Sequence, residues 1–89
     1  MTRNELHEAA ESLQRAAEAE GDDAARERLR EQSTQFESLA TADRGPDHGR
    51  LARHEHILSG IAESESGAAE HIESALESIR EYRETVEGV

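Results

Sequence analysis

Apolar residues recur at helical spacing in four separate stretches of this chain, and the pattern breaks three times at short runs of Gly, Pro, Asp and Ser. The first stripe is Leu6, Ala9, Ala10, Leu13, Ala16 and Ala17. Thr2 and Glu5 have the spacing of a capping box, in which each side chain satisfies an orphan amide, so a helix is expected over about residues 3–20. Gly21-Asp22-Asp23 supplies a stop and then acidic N-cap candidates for a second helix over about 23–42, with Ala25, Leu29, Phe36, Leu39 and Ala40 on its stripe. One internal Gly costs a helix only about 1 kcal/mol, so the two segments could in principle form a single rod. Phase argues for a turn: at about 100° per residue, Leu29 and Phe36 would point about 120 to 140° away from Leu6 on an unbroken helix.

Arg44-Gly45-Pro46-Asp47-His48-Gly49 holds the only Pro and reads as the clearest loop, with Asp47 as a natural N-cap. A third helix over about 48–63 carries Leu51, His54, Ile57, Leu58, Ile61 and Ala62 on one side. After Glu63-Ser64-Glu65-Ser66-Gly67, where Ser66 can cap, a fourth helix over about 67–87 shows Ala69, Ile72, Ala75, Leu76, Ile79, Tyr82 and Val86 and stops at Gly88. Helices of this length joined by short loops favour antiparallel neighbours, which predicts an all-α antiparallel four-helix bundle as a single domain over 1–89. The runner-up arrangement is two helical hairpins meeting across a dimer axis, and the stripes alone do not separate the two. Nearly half of the hydrophobic residues are Ala, so the core is thin for this length and dimerisation or salt is expected to contribute to stability.

All ten basic residues are Arg, Asp and Glu total 21, and the formal net charge is −11. Self-repulsion of that size destabilises a compact chain unless mobile ions screen it. At about 1 M ionic strength the Debye length falls to about 3 Å, so only charges in contact still feel one another. An acidic, Lys-free composition is therefore what a salt-rich cytoplasm favours. An acidic mesophilic protein whose lysines were lost to base composition is the weaker reading.

The same composition narrows function. Without Cys there are no disulfides, thiolate metal sites or thiol nucleophiles. No apolar run reaches membrane length, and MTRNELHEAAESL lacks the core of a signal peptide, so a cytoplasmic location and no membrane association are expected. Net acidity opposes broad nucleic-acid affinity. Four of the five His residues lie in the second half, but His54 and His56 are two apart on a helix and point about 200° away from each other. His54-Glu55-His56 also lacks the four-residue spacing of HExxH. His54 is expected at the core edge with a hydrogen bond and His56 in solvent. No Ser sits in a nucleophile-elbow context and no Gly-rich phosphate loop is present. The chain is thus expected to be no enzyme, with no catalytic residue, metal, cofactor or small-molecule substrate.

One stretch departs from the general acidity. RGPDHGRLARHEH sets Arg44, Arg50 and Arg53 against only Asp47 and Glu55, and with His48 and His56 it forms the candidate partner-binding patch. Arg makes bidentate contacts with carboxylate or phosphate, so the patch could receive an acidic partner or an RNA backbone. The favoured structural alternative pairs these arginines with acids on neighbouring helices, such as the Glu run of the fourth helix. RGPDHGRLARHE and the ending YRETVEGV are similar to a family of short, acidic, uncharacterised haloarchaeal proteins, a domain of unknown function. That resemblance spans essentially the whole chain. It implies an archaeal cytosol and brings no activity, cofactor or site residue.

The resulting expectation is a non-catalytic helical interaction module of a halophilic cytoplasm that self-associates or docks a protein partner. The alternative is a nucleic-acid-associated regulatory protein using the Arg-rich region from helix 2 to helix 3, a unit similar to a helix-turn-helix. Its six-residue, Pro-containing loop is longer than the three or four residues usual for that turn, and high salt weakens phosphate binding.

Overall fold

The computed structural model describes residues 3–64 and 67–85 and places them in four helices: α1 (Asn4–Ala19), α2 (Asp23–Thr41), α3 (His48–Ser64) and α4 (Ala69–Thr85). The chain is an all-α four-helix bundle with helix bounds within two residues of those expected. Asp22 and Asp47 act as N-caps, their carboxylates accepting from the amides of Ala25 at 2.9 Å and Arg50 at 2.8 Å. Between α1 and α2 the chain turns, as the phase of the stripes required. The turn is pinned by the Glu20 carbonyl, which accepts from Nε and Nη2 of Arg26 at 3.2 and 2.8 Å.

The start of α1 differs from expectation. Its N-cap position is Arg3, which makes no side-chain cap, and the Arg3 carbonyl accepts from the amides of Leu6 and His7, both at 3.1 Å. Thr2, the expected capping residue, lies outside the described residues, as do Ser66, Val86 and Gly88. Arg3 serves the other helix of the hairpin instead. Its amide donates to Ala40 O at 2.9 Å, and its guanidinium donates to the carbonyls of Leu39 at 3.1 Å and Ala42 at 2.7 Å. The last carbonyls of α2, which have no intrahelical partner, are thereby satisfied by a cation where the helix dipole favours one.

The contacts run antiparallel. Arg3 meets Ala40, while Ser33 Oγ donates to Ala10 O at 2.8 Å about two turns further along. At the opposite ends of α1 and α4, Gly67 lies against the Ala19 carbonyl, and Arg3 and Tyr82 converge beside Gly45. A Cβ on Gly67 would stand 3.1 Å from that carbonyl oxygen, tighter than ordinary contact, so a side chain there would push the two backbones apart by a few tenths of an ångström.

α1 is the hub of the bundle. Ala9, Ala10, Ala16 and Ala17 are all buried, and their small side chains let both α2 and α4 come close. Leu6 and Leu13 of α1 interlock with Leu29 and Phe36 of α2 and with Ile72, Leu76 and Ile79 of α4 in one core cluster. α3 closes on α4 through Leu51, Leu58 and Ile61. Close backbone packing thus joins α1 to α2, α1 to α4 and α3 to α4. The consecutive pair α2 and α3 is not among them, and the bundle has an open seam along that side.

Candidate functional site

His54 of α3 forms the floor of the seam. It is 4% exposed, and its Nδ1 lies 2.6 Å from Oε1 of Gln32 on α2. An amide oxygen can only accept, so Nδ1 carries the proton and the ring's lone pair sits on Nε2. The ring also meets Phe36 edge to face, with centroids 4.9 Å apart and planes at 60°. Burial pushes the His54 pKa down, and the nearby charges of Arg50 and Arg53 push it the same way. The imidazole is therefore neutral at pH 7. Its place on the stripe with a hydrogen bond, and the exposure of His56, are as the helical phase predicted.

Above this floor lies a groove of about 590 Å³. Gln32 and Gln35 line it from α2, and Asp47, Gly49, Arg50, Arg53, His54 and Ile57 line it from the α2–α3 loop and α3. Of the five predicted patch residues, the structure brings together Arg50 and Arg53, both exposed and one helical turn apart. Arg44 is exposed in the loop outside the groove, and His56 is exposed but does not line it. His48 turns toward α4, where its Nδ1 accepts from Arg83 Nε at 3.2 Å. Its Nε2 is buried without a partner. Gln32 and Gln35 were not foreseen. Their signal in the sequence is an i, i+3 amide pair beside the Leu29–Phe36 stripe, where amides are too common on helix surfaces to stand out.

The favoured pairing of Arg44, Arg50 and Arg53 with acids on neighbouring helices is not found: among the described residues none of the three has an acidic partner within 4.0 Å. The ionic link between α3 and α4 runs the other way, from Arg83 of α4 to Glu55 of α3 at 2.8 Å. Other arginines of the described helices have an acid three or four positions away, as Arg15 has Glu11 and Glu18 and Arg80 has Glu77 and Glu84. Arg53 has none, and the single acid at that spacing from Arg50 is Asp47, one of whose carboxylate oxygens is committed to the Arg50 amide. The groove therefore presents two guanidiniums against one carboxylate, that of Asp47, on a chain of net charge −11.

A second groove, of about 360 Å³, runs between α1 and α4 and has the opposite sign. Glu8, Glu11, Glu77 and Glu81 line it with a single cation, Arg15, and with Ser12, Ser74 and Ser78. Since α1 packs on α2 and α4 on α3, this groove and the α2/α3 groove occupy opposite sides of the bundle.

No described helix is long and apolar enough to cross a membrane. Among the described residues no group of three or more His, Asp or Glu side chains is arranged to hold a metal ion. No curated protein and no solved structure matches the chain. Residues 1–85 match the model of DUF7553, a family of unknown function, and the chain belongs to that family.

Proposed function

We propose that this member of DUF7553 is a non-catalytic interaction module of a halophilic archaeal cytoplasm, self-associating or docking a protein partner through the α2/α3 groove. The observation that carries the reading is the pair Arg50 and Arg53, set against the single carboxylate of Asp47 over a seam where two consecutive helices lack close backbone packing. A planar guanidinium binds carboxylate in a bidentate fork, and such contacts persist at salt concentrations that erase longer-range forces. A partner offering acidic side chains fits this chemistry. The non-catalytic part of the reading rests on the groove's only imidazole, which is spent on holding Gln32, and on the lack of a nucleophile beside it. The salt-rich setting rests on the absence of Lys, all ten basic residues being Arg, and on the charge of −11.

Binding of a fluorescent oligoglutamate peptide, followed by anisotropy, tests the reading. Wild type is expected to bind, Arg50→Glu/Arg53→Glu to weaken binding at least about tenfold, equivalent to about 1.4 kcal/mol, and Arg44→Glu to have little effect. Equal binding by wild type and the double variant would overturn it. A nucleic-acid-associated regulator using the same arginines is the alternative, and a labelled RNA oligonucleotide in the same assay separates the two.

A further inference from the structure

We propose that the occupant of the α2/α3 groove is the acidic α1/α4 face of a second copy of this chain, so that copies associate head to tail. The inference rests on the interaction reading of the groove and adds the identity of the partner. Charge complementarity carries it. Arg50 and Arg53 outnumber Asp47 in one groove, and Glu8, Glu11, Glu77 and Glu81 outnumber Arg15 in another on the opposite side of the same bundle.

The two faces also match in level along the bundle axis. Arg50 and Arg53 belong to the first half of α3, next to the α2–α3 loop; Glu8 and Glu11 belong to the first half of α1, Glu77 to the middle of α4 and Glu81 to its second half. The antiparallel arrangement puts these between the middle of the molecule and the end that carries the α2–α3 loop. A translation across the bundle therefore brings one copy's arginines against the next copy's glutamates with the helices parallel. Ser12, Ser74 and Ser78 between those glutamates are short enough to let a guanidinium approach. Because the contact joins two different surfaces related by a translation, without a rotation that would close a ring, each added copy leaves one groove and one acidic face free.

Salt dependence is the distinguishing property. Two chains each of charge −11 repel over a Debye length of about 10 Å at 0.1 M salt, but over only about 3 Å at 1 M. Arg–carboxylate pairs in contact survive that screening. Association should therefore strengthen from low to molar salt, opposite to an ordinary ionic interface.

Sedimentation velocity in KCl from about 0.1 M to about 2 M tests this. Wild type is expected to be monomeric at the low end and to form a concentration-dependent series of oligomers at the high end. Arg50→Ala/Arg53→Ala, which keeps the acidic face, and Glu77→Gln/Glu81→Gln, which keeps the groove, are each expected to stay monomeric with unchanged helicity. An equimolar mixture of the two is expected to give a 1:1 complex and nothing larger, since only one productive interface remains. A wild type that stays monomeric throughout, or a dimer indifferent to Glu77 and Glu81, overturns the inference. If an oligoglutamate peptide still binds in an Arg50- and Arg53-dependent way, the groove reading survives that result; if it does not, both fail.

Discussion

His54 donates its Nδ1–H to the side-chain oxygen of Gln32 at 2.6 Å, and among the described residues this is the one side-chain hydrogen bond joining α2 to α3. The two helices lack close backbone packing, so a buried polar pair holds the seam from within. Removing one partner leaves the other without its bond at a nearly buried position on the groove floor, which costs more than removing both. Gln32→Ala is expected to destabilise the fold by about 1–3 kcal/mol, whereas Gln32→Leu/His54→Leu should be near neutral. Urea denaturation distinguishes them, and a Gln32→Ala midpoint equal to wild type would remove the pair's structural role.

Two histidines should titrate on opposite sides of 6.5. His7 is exposed, and the hydrogen bond to Glu37 at 2.9 Å, followed by that carboxylate's charge, raises its pKa. Between 6.5 and the raised value the folded state holds more protons than the unfolded one, so this contribution is present below 6.5 and fades as pH rises through that window. His54 has the reverse sign. Burial lowers its pKa, so the unfolded state holds more protons just below 6.5, and stability falls as pH drops from 6.5 through the lowered value. Imidazole NMR titration should find His7 above and His54 below 6.5, and the opposite order would contradict the assignments of their partners.

Phe36 is fully buried and is the largest of the fully buried side chains. It lies where the core of α1 and α2 meets the seam, against His54. Phe36→Ala should cost about 3–5 kcal/mol, a large share of the total for a domain whose stability is of order 5–15 kcal/mol. Phe36→Leu should cost much less. Thermal melts by circular dichroism at fixed salt measure both, and similar melting temperatures would mean that the seam collapses around the missing ring.

Salt should stabilise the monomer as well as any assembly. Glu73, Glu77 and Glu81 are exposed at i, i+4 spacing on α4, where like charges repel by a few tenths of a kcal/mol per pair. Glu77 and Glu81 also share a groove with Glu8 and Glu11 of α1. The melting temperature is expected to rise between about 0.1 M and about 2 M KCl as the Debye length contracts. An unchanged value over that range would sink the adaptation to salt inferred from the charge of −11.

Much of this protein is legible along the chain because helices are local objects. The stripes, the breakers and the two Asp caps are set by residues within four positions of one another, and the turn at Gly21, the caps at Asp22 and Asp47 and the opposed directions of His54 and His56 all stand in the structure as the spacing predicts. The uses of Arg3, Arg83 and His48 were not legible: Arg3 closes the end of α2 across 36 to 39 positions, and Arg83 reaches back to Glu55 across 28. A long flexible cation chooses among whatever acceptors the packed bundle brings within reach, and on a chain with 21 acids the sequence offers too many.

Periodicity states which face each helix buries, and that much the sequence determined alone. Which faces close on each other depends on the match of side-chain volumes once the helices meet. The alanines of α1 let α2 and α4 settle against it, whereas α3 offers the seam a histidine and a half-buried Ile57 in place of a second close-packed row. Only the tertiary structure decided that the α2/α3 side stays open, and with it that Arg50 and Arg53 line a groove instead of pairing with acids on the neighbouring helices.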